Sequence, residues 1–178
     1  MAYGGKNDND SPQMREAILT KSDQHPSIYE LLPFILNPDN IARFDAGRVI
    51  IGDRRAYPFS ESFVECSSVD EVAVAIKDMV TEGSGPCLCA VQALRIITCG
   101  QISSGLHGKQ KLRAELRSAR DALVATRPTN TAMRIRLDEI LLVADKAITD
   151  GQNVDEAVAS AIDQTLQGIF DDYSIRAR

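Results

Sequence analysis

The stretch from Cys87 to Cys99 constrains the fold more than any other part of the chain. It carries Leu88, Val91, Leu94, Ile96 and Ile97, which point to every side of a helix rather than to one face. Such a helix has no face to offer water, so it predicts a central position with other elements packed round it. Pro86 suits the first turn of that helix, and Gly100 suits a left-handed stop. The surrounding segments are amphipathic. Ser68-Val69-Asp70-Glu71 reads as a capping box, with Glu71 reaching back, and Val72, Ala75, Ile76 and Met79 follow at helical spacing. A loose linker is expected over Gln101 to Gly108. A fourth helix is then expected from Lys109 to Ala125, with Leu112, Leu116, Ala119 and Leu123 inward. A fifth opens at Pro128 and runs to Thr149, with Met133, Leu137, Ile140 and Leu141 as its stripe. Gly151 ends it, and Asn153-Val154-Asp155-Glu156 caps a sixth that uses Val158, Ile162, Leu166 and Ile169.

Before the first capping box the pattern changes. Arg48–Ile51 and Ser62–Cys66 are short β-branched and aromatic runs, read as two strands joined by a charged loop. The expected fold class is therefore mainly α (α+β), a helical bundle with a small two-stranded β element. Residues 1–26 are expected to be a flexible arm, containing a short helix from Met14 to Thr20. The folded domain is expected over residues 27–178, opening on a helical turn capped by Ser27.

Composition narrows the function classes. The net charge of −5 is a poor match to nucleic acid. The run from Lys109 to Arg136 is locally basic but holds no aromatic side chain for base stacking, so a solvated or anion-facing patch is the better reading. No apolar run approaches a membrane span, and the polar start is no signal peptide, which predicts a cytoplasmic protein with reduced thiols. On a helix Cys87 and Cys89 diverge, so they read as buried structural thiols, and no metal or other cofactor is expected. His25 and His107 are expected to be solvated in loops.

Three stretches in order carry a family resemblance. The first is GRVIIGDRRAYP from Gly47 to Pro58, followed by a strand and SVDEVAVAIKDM from Ser68 to Met79. The second is VTEGSGP from Val80 to Pro86, ahead of the apolar helix, and the third is LRSARDALVATRPT from Leu116 to Thr129. Together they resemble the N-terminal domain of the methylthioribose-1-phosphate isomerases, with their strand before a helix ending AIxxM, their V-x-R-G-A-P loop and their TRPT turn. The ribose-1,5-bisphosphate isomerases share the last turn, and a distant branch supplies regulatory subunits of a translation initiation factor exchange complex.

The resemblance implies an aldose–ketose isomerase of methionine salvage, and it implies that Gly83, Ser84 and Arg127 hold the sugar phosphate. A helix N-terminus, glycines that permit close approach and a guanidinium fork are each suited to that anion. Glu82 stands where the family has Arg, and a carboxylate there repels phosphate. The family's catalytic Cys and Asp lie in a Rossmann-like C-terminal domain and match nothing in this chain, so no catalytic residue is assigned and the domain is expected to be inactive alone. Expected partners are a sugar phosphate and either a further copy or that catalytic domain. The other reading is a non-catalytic module that binds a phosphorylated metabolite or joins subunits. On composition alone, Gly83–Pro86 is equally well a plain turn between helices, and Arg127-Pro128 a plain helix start.

Overall fold

After a single 3-10 turn at Phe34–Leu36, Asn37 opens the first α-helix among the described residues. Its side chain accepts from the Asp39 amide at 3.0 Å and caps a short helix α1, Pro38–Ile41. The chain then runs into an antiparallel sheet, in a computed structural model that describes residues 32–100 and 105–176. The arm over 1–26, the helix expected at Met14 to Thr20 and the turn capped by Ser27 lie outside the described residues. Residues from Leu32 onward form one compact unit.

The sheet has three strands in the order β1 (Ala42–Asp45), β2 (Arg48–Gly52), β3 (Phe63–Cys66). The expected pair is present, and β1 is an addition. It was hidden because Asp45 pairs with Arg48 across a two-residue turn that carries Ala46 at φ 46° and Gly47 at φ 81°. Hairpins of this kind favour Asn or Asp at the first of those positions, and Ala gives no such signal. Pairing puts Ala42 opposite Ile51 and Val49 opposite Cys66. All four are buried, so one face of the sheet packs against the helices.

The central helix is α3, Gly85–Gly100, one residue longer at its start than Pro86 implied. Leu88, Cys89, Ala90, Val91, Ala93 and Leu94 are all fully buried. It touches β1, β2 and the four other long helices: α2 (Val69–Lys77), α4 (Gly105–Thr126), α5 (Thr131–Thr149) and α6 (Val154–Arg176). An all-round apolar helix therefore sits where its composition requires.

Some boundaries move. The Gln101 to Gly108 linker is shorter than expected, because α4 already starts at Gly105 and His107 is helical. Pro128 lies in a turn closed by the Asn130 amide donating to the Arg127 carbonyl at 2.9 Å. The fifth helix begins after it, where Asn130 Oδ1 accepts from the Met133 amide at 3.0 Å. Proline at the second position of a turn satisfies the same fixed φ that suits a helix start, so the sequence did not separate the two. Leu141 is half-buried rather than internal, and Ala144 and Ala147 complete the α5 stripe.

The basic residues of α4 are largely consumed by ties to α5. Arg113 and Arg117 both reach Asp145, at 2.5 and 3.0 Å, and Arg120 reaches Asp138 at 2.7 Å. In α5, Arg136 reaches Asp172 of α6 at 3.5 Å. Within α4, Lys111 pairs with Glu115 at 3.7 Å. Most of the locally basic run is thus a set of interhelical and helix-surface ion pairs.

Candidate functional site

Two turns meet at one end of the bundle. The first joins α2 to α3 through Val80–Ser84, and the second joins α4 to α5 through Arg127–Asn130. Between them lies a cleft of about 380 Å³ bordered by Met79, Glu82, Gly83, Pro86, Arg127, Thr129 and Asn130. The fold therefore brings together Glu82, Gly83 and Arg127, which are 45 positions apart from Glu82 to Arg127 in sequence. Ser84 faces an adjoining cleft of about 410 Å³, which it shares with Cys87 and Arg136.

The end of α2 shapes the first turn. The Val80 amide donates to the Ala75 carbonyl at 3.1 Å and the Met79 amide to the Ile76 carbonyl at 3.3 Å, the paired bonds of a Schellman stop. Met79 occupies the left-handed position of that motif at φ 61°, where glycine is usual. A side chain there costs about 1 kcal/mol or more. The same motif ends α5 with Gly151 at φ 69°, which is why that stop was visible in sequence and the Met79 stop was not.

Arg127 braces the strained end. Its Nη2 donates to the Ile76 carbonyl at 3.0 Å and touches the Met79 sulfur. The guanidinium is half-buried, and its Nε has no partner among the described residues. Nη1 makes no hydrogen bond among the described residues and Arg127 borders the cleft, so the residue is both a brace and a cation at the site.

At the start of α3 the amides are mostly in use. The Gly85 amide donates to the Glu82 carbonyl at 3.0 Å, while the Cys87 and Leu88 amides donate to the Ser84 carbonyl at 3.0 and 3.2 Å. Pro86 has no amide hydrogen. Among the described residues the amides of Gly83 and Ser84 donate to no carbonyl, and these are what the turn offers an anion. The two glycines differ in purpose. Gly83, at φ 63°, supplies the left-handed turn with open space round its Cα. Gly85 is small because the Thr81 side chain lies against it, so it serves packing rather than access for a ligand.

Sequence reasoning missed a third contributor. Arg54, in the loop between β2 and β3, donates its amide to the Val80 carbonyl at 2.9 Å and its Nη1 to the Glu82 carbonyl at 3.2 Å. Beside it, Arg55 is held by Asp53 through two bonds, Nε to Oδ1 at 2.9 Å and Nη2 to Oδ2 at 2.6 Å. Those bonds to Arg55 hold the Asp53 carboxyl below its ordinary range. A charged loop with no periodicity gave no hint that it folds onto the helix turn.

The buried thiols Cys66, Cys87 and Cys89 are not poised to react. Burial pushes Cys66 up to about 11, with help from Glu71, and Cys87 likewise to about 11, while Cys89 is raised by the same cause. Thiols so raised are protonated at neutral pH and poor nucleophiles. Cys99 is exposed. No group of three or more His, Cys, Asp or Glu among the described residues is arranged to hold a metal ion. No helix among them is long and apolar enough to cross a membrane.

No protein-family model matches the chain. It is 28% identical over 130 residues to the methylthioribose-1-phosphate isomerase of Petrotoga mobilis, a match covering 71% of this chain and 36% of that protein. It is 35% identical over 81 residues to methylthioribose-1-phosphate isomerase 1 of Pseudothermotoga lettingae, covering 46% of this chain and 23% of the relative. The chain thus spans about a third or less of the length of the curated relatives it matches. In fold it resembles 5-methylthioribose 1-phosphate isomerase from Pyrococcus horikoshii, with a TM-score of 0.62 at 20% identity over 79% of this chain and 40% of that one. It also resembles translation initiation factor eIF-2B subunit delta from A. fulgidus, with a TM-score of 0.59 at 22% identity over 75% and 37% of the two chains. The chain is thus similar in sequence to the methylthioribose-1-phosphate isomerases and shares its fold with one of them and with the initiation-factor subunit, and its partial coverage of these relatives fits an N-terminal domain.

Proposed function

We propose that this domain caps the substrate of an aldose–ketose sugar-phosphate isomerase, a cytoplasmic enzyme of methionine salvage, and holds phosphate in the cleft between the Gly83 turn and Arg127. The observation that carries the reading is the meeting of these two turns in one cleft, since each comes from a separate stretch of family resemblance. In this reading residues 27–178 are the capping domain and residues 1–26 an arm. Proton transfer at the sugar belongs to a further Rossmann-like domain, because clamping a phosphate supplies binding but no acid or base. The domain alone is then inactive, and it works against that catalytic domain or within a homo-oligomer.

Two features favour a second reading, a non-catalytic module that binds a phosphorylated metabolite weakly or only joins subunits. Glu82 places a carboxylate in the cleft, and one arm of Arg127 is already engaged by the Ile76 carbonyl. The loss of a charge-assisted contact and the added repulsion together cost about 2–4 kcal/mol in a partly dry site. That is roughly a thirty- to thousandfold loss of phosphate affinity. Calorimetric titration with ribose-5-phosphate and methylthioribose-1-phosphate tests both readings. The expected result is weak binding by the native chain, at least about tenfold tighter binding by Glu82→Arg, and loss of that gain when Arg127→Ala is added. No response to Glu82→Arg leaves the turn a structural joint. Turnover by the pure chain, abolished by a substitution within it, overturns the capping role.

A further inference from the structure

We propose that Arg54, from the loop between β2 and β3, is the second cationic arm of the anion site at the Glu82–Gly85 turn, supplying from another element the charge that Glu82 removes. The inference rests on the phosphate reading above and adds to it a binding residue from the first stretch of resemblance, which itself suggested no phosphate contact.

The first ground is placement. A further cleft, of about 260 Å³, is bordered by Ile35, Arg54, Arg55, Tyr57, Met79 and Glu82. It shares Met79 and Glu82 with the Arg127 cleft, so the two depressions adjoin along that edge. A ligand anion seated at the turn has Arg127 on one side and Arg54 on the other. Because C=O and N–H point opposite ways within the plane of a trans peptide, the guanidinium on the Glu82 carbonyl lies at the opposite edge of that peptide unit from the Gly83 amide. Arg54 therefore acts on a bound anion through charge over several ångströms, rather than by sharing an oxygen with that amide.

The second ground is charge. Arg55 is neutralised by its two bonds to Asp53, whereas among the described residues Arg54 is paired with no carboxylate and spends one N–H on a neutral carbonyl. Its positive charge has no ion-pair partner within contact distance among the described residues, and it lines the same cleft as Glu82.

The third ground is preorganisation. Arg54 is fixed at both ends, by its amide on the Val80 carbonyl and by its Nη1 on the Glu82 carbonyl. Ordering a free arginine costs about 2 kcal/mol of side-chain entropy, and much of that cost is met before any ligand arrives.

Two unit charges about 7 Å apart at a wet surface interact weakly, yet against a phosphate dianion the effect amounts to about three- to tenfold in affinity. The test titrates inorganic phosphate and ribose-5-phosphate, followed by phosphorus NMR, into the native chain and into Arg54→Gln, Arg54→Lys and Arg127→Ala. The series is repeated with Glu82→Arg, where binding is tighter. Arg54→Gln removes the charge and shortens the side chain, whereas Arg54→Lys keeps the charge and a donor of nearly the same reach but loses the planar fork, so the pair separates electrostatics from the tie that shapes the turn. Urea melts confirm that each variant is folded. The expected result is a loss of about three- to tenfold for Arg54→Gln, near-native affinity for Arg54→Lys, and a difference that shrinks as salt is raised. Unchanged affinity in Arg54→Gln alongside a clear loss in Arg127→Ala overturns the role of Arg54 and leaves the phosphate reading standing. Binding in neither background overturns both.

Discussion

A methyl group at Gly85 tests whether the turn is built as described. A Cβ there overlaps the Thr81 hydroxyl and stands 2.9 Å from Thr81 Cβ and 3.2 Å from Thr81 Cγ2. Thr81 is fully buried and its hydroxyl has no partner among the described residues. Its β-branched side chain has few rotamers to retreat into, and the clash includes the branch point rather than a flexible tip. Overpacking of this kind costs about 1–3 kcal/mol, and the upper end applies here. A loss of about 3 kcal/mol lowers Tm by about 6–12 °C in a domain of this size. Gly83→Ala is the internal comparison. Gly83 has the positive φ that usually marks the irreplaceable glycine, but nothing lies within 4 Å of its would-be Cβ, so its cost is only about 1–2 kcal/mol of backbone strain. Urea denaturation of both variants should therefore rank Gly85→Ala as the worse. Adding Thr81→Ala removes the hydroxyl and the Cγ2 contact but leaves the 2.9 Å approach, so rescue should be partial, with a coupling of about 1–2 kcal/mol. If Gly83→Ala proves the more damaging, or the double variant shows no coupling, the packing account of this turn is wrong.

Two further outcomes follow from caps and ion pairs. Ser68 Oγ accepts from the Glu71 amide at 3.2 Å at the start of α2, so Ser68→Ala should cost about 1 kcal/mol in urea denaturation, without altering phosphate titrations. Arg113, and after it Arg117, hold the Asp145 carboxyl below its ordinary range. A carboxyl depressed in the folded state contributes stability above its unfolded value, near pH 4, and loses it as pH falls through the folded value; urea midpoints should therefore drop below about pH 4, and Asp145→Asn should flatten that part of the profile.

Sequence and structure agree where burial follows a period and part where geometry depends on a partner far along the chain. Leu112, Leu116, Ala119 and Leu123 recur at helical spacing, and all four are buried, because one helix needs only its own repeat to declare its inner face. The apolar α3 announced its central place in the same way. The capping box also appeared in residues, though the Glu71 carboxylate accepts from the Ser67 amide and hydroxyl, at 2.6 and 2.9 Å. By contrast, β1 is held by its pairing with β2 and closes on Ala46, a residue that seldom marks such a turn. At the site, Gly83 and Arg127 were legible as motif positions and do share a cleft. The brace from Arg127 to the end of α2 was not legible, because it joins residues 51 apart. Arg54 lies 28 positions from the carbonyl it meets, and local pattern carries no information about such a meeting.

On the phosphate reading, the brace also makes the protein its own competitor. An incoming anion that recruits the whole Arg127 fork must take Nη2 from the Ile76 carbonyl and leave Met79 to hold its left-handed backbone without that support. Binding is then an exchange of one acceptor for another, and the affinity measured is the difference between them. On that reading, hydrogen exchange at the Met79 and Val80 amides would rise as the site fills.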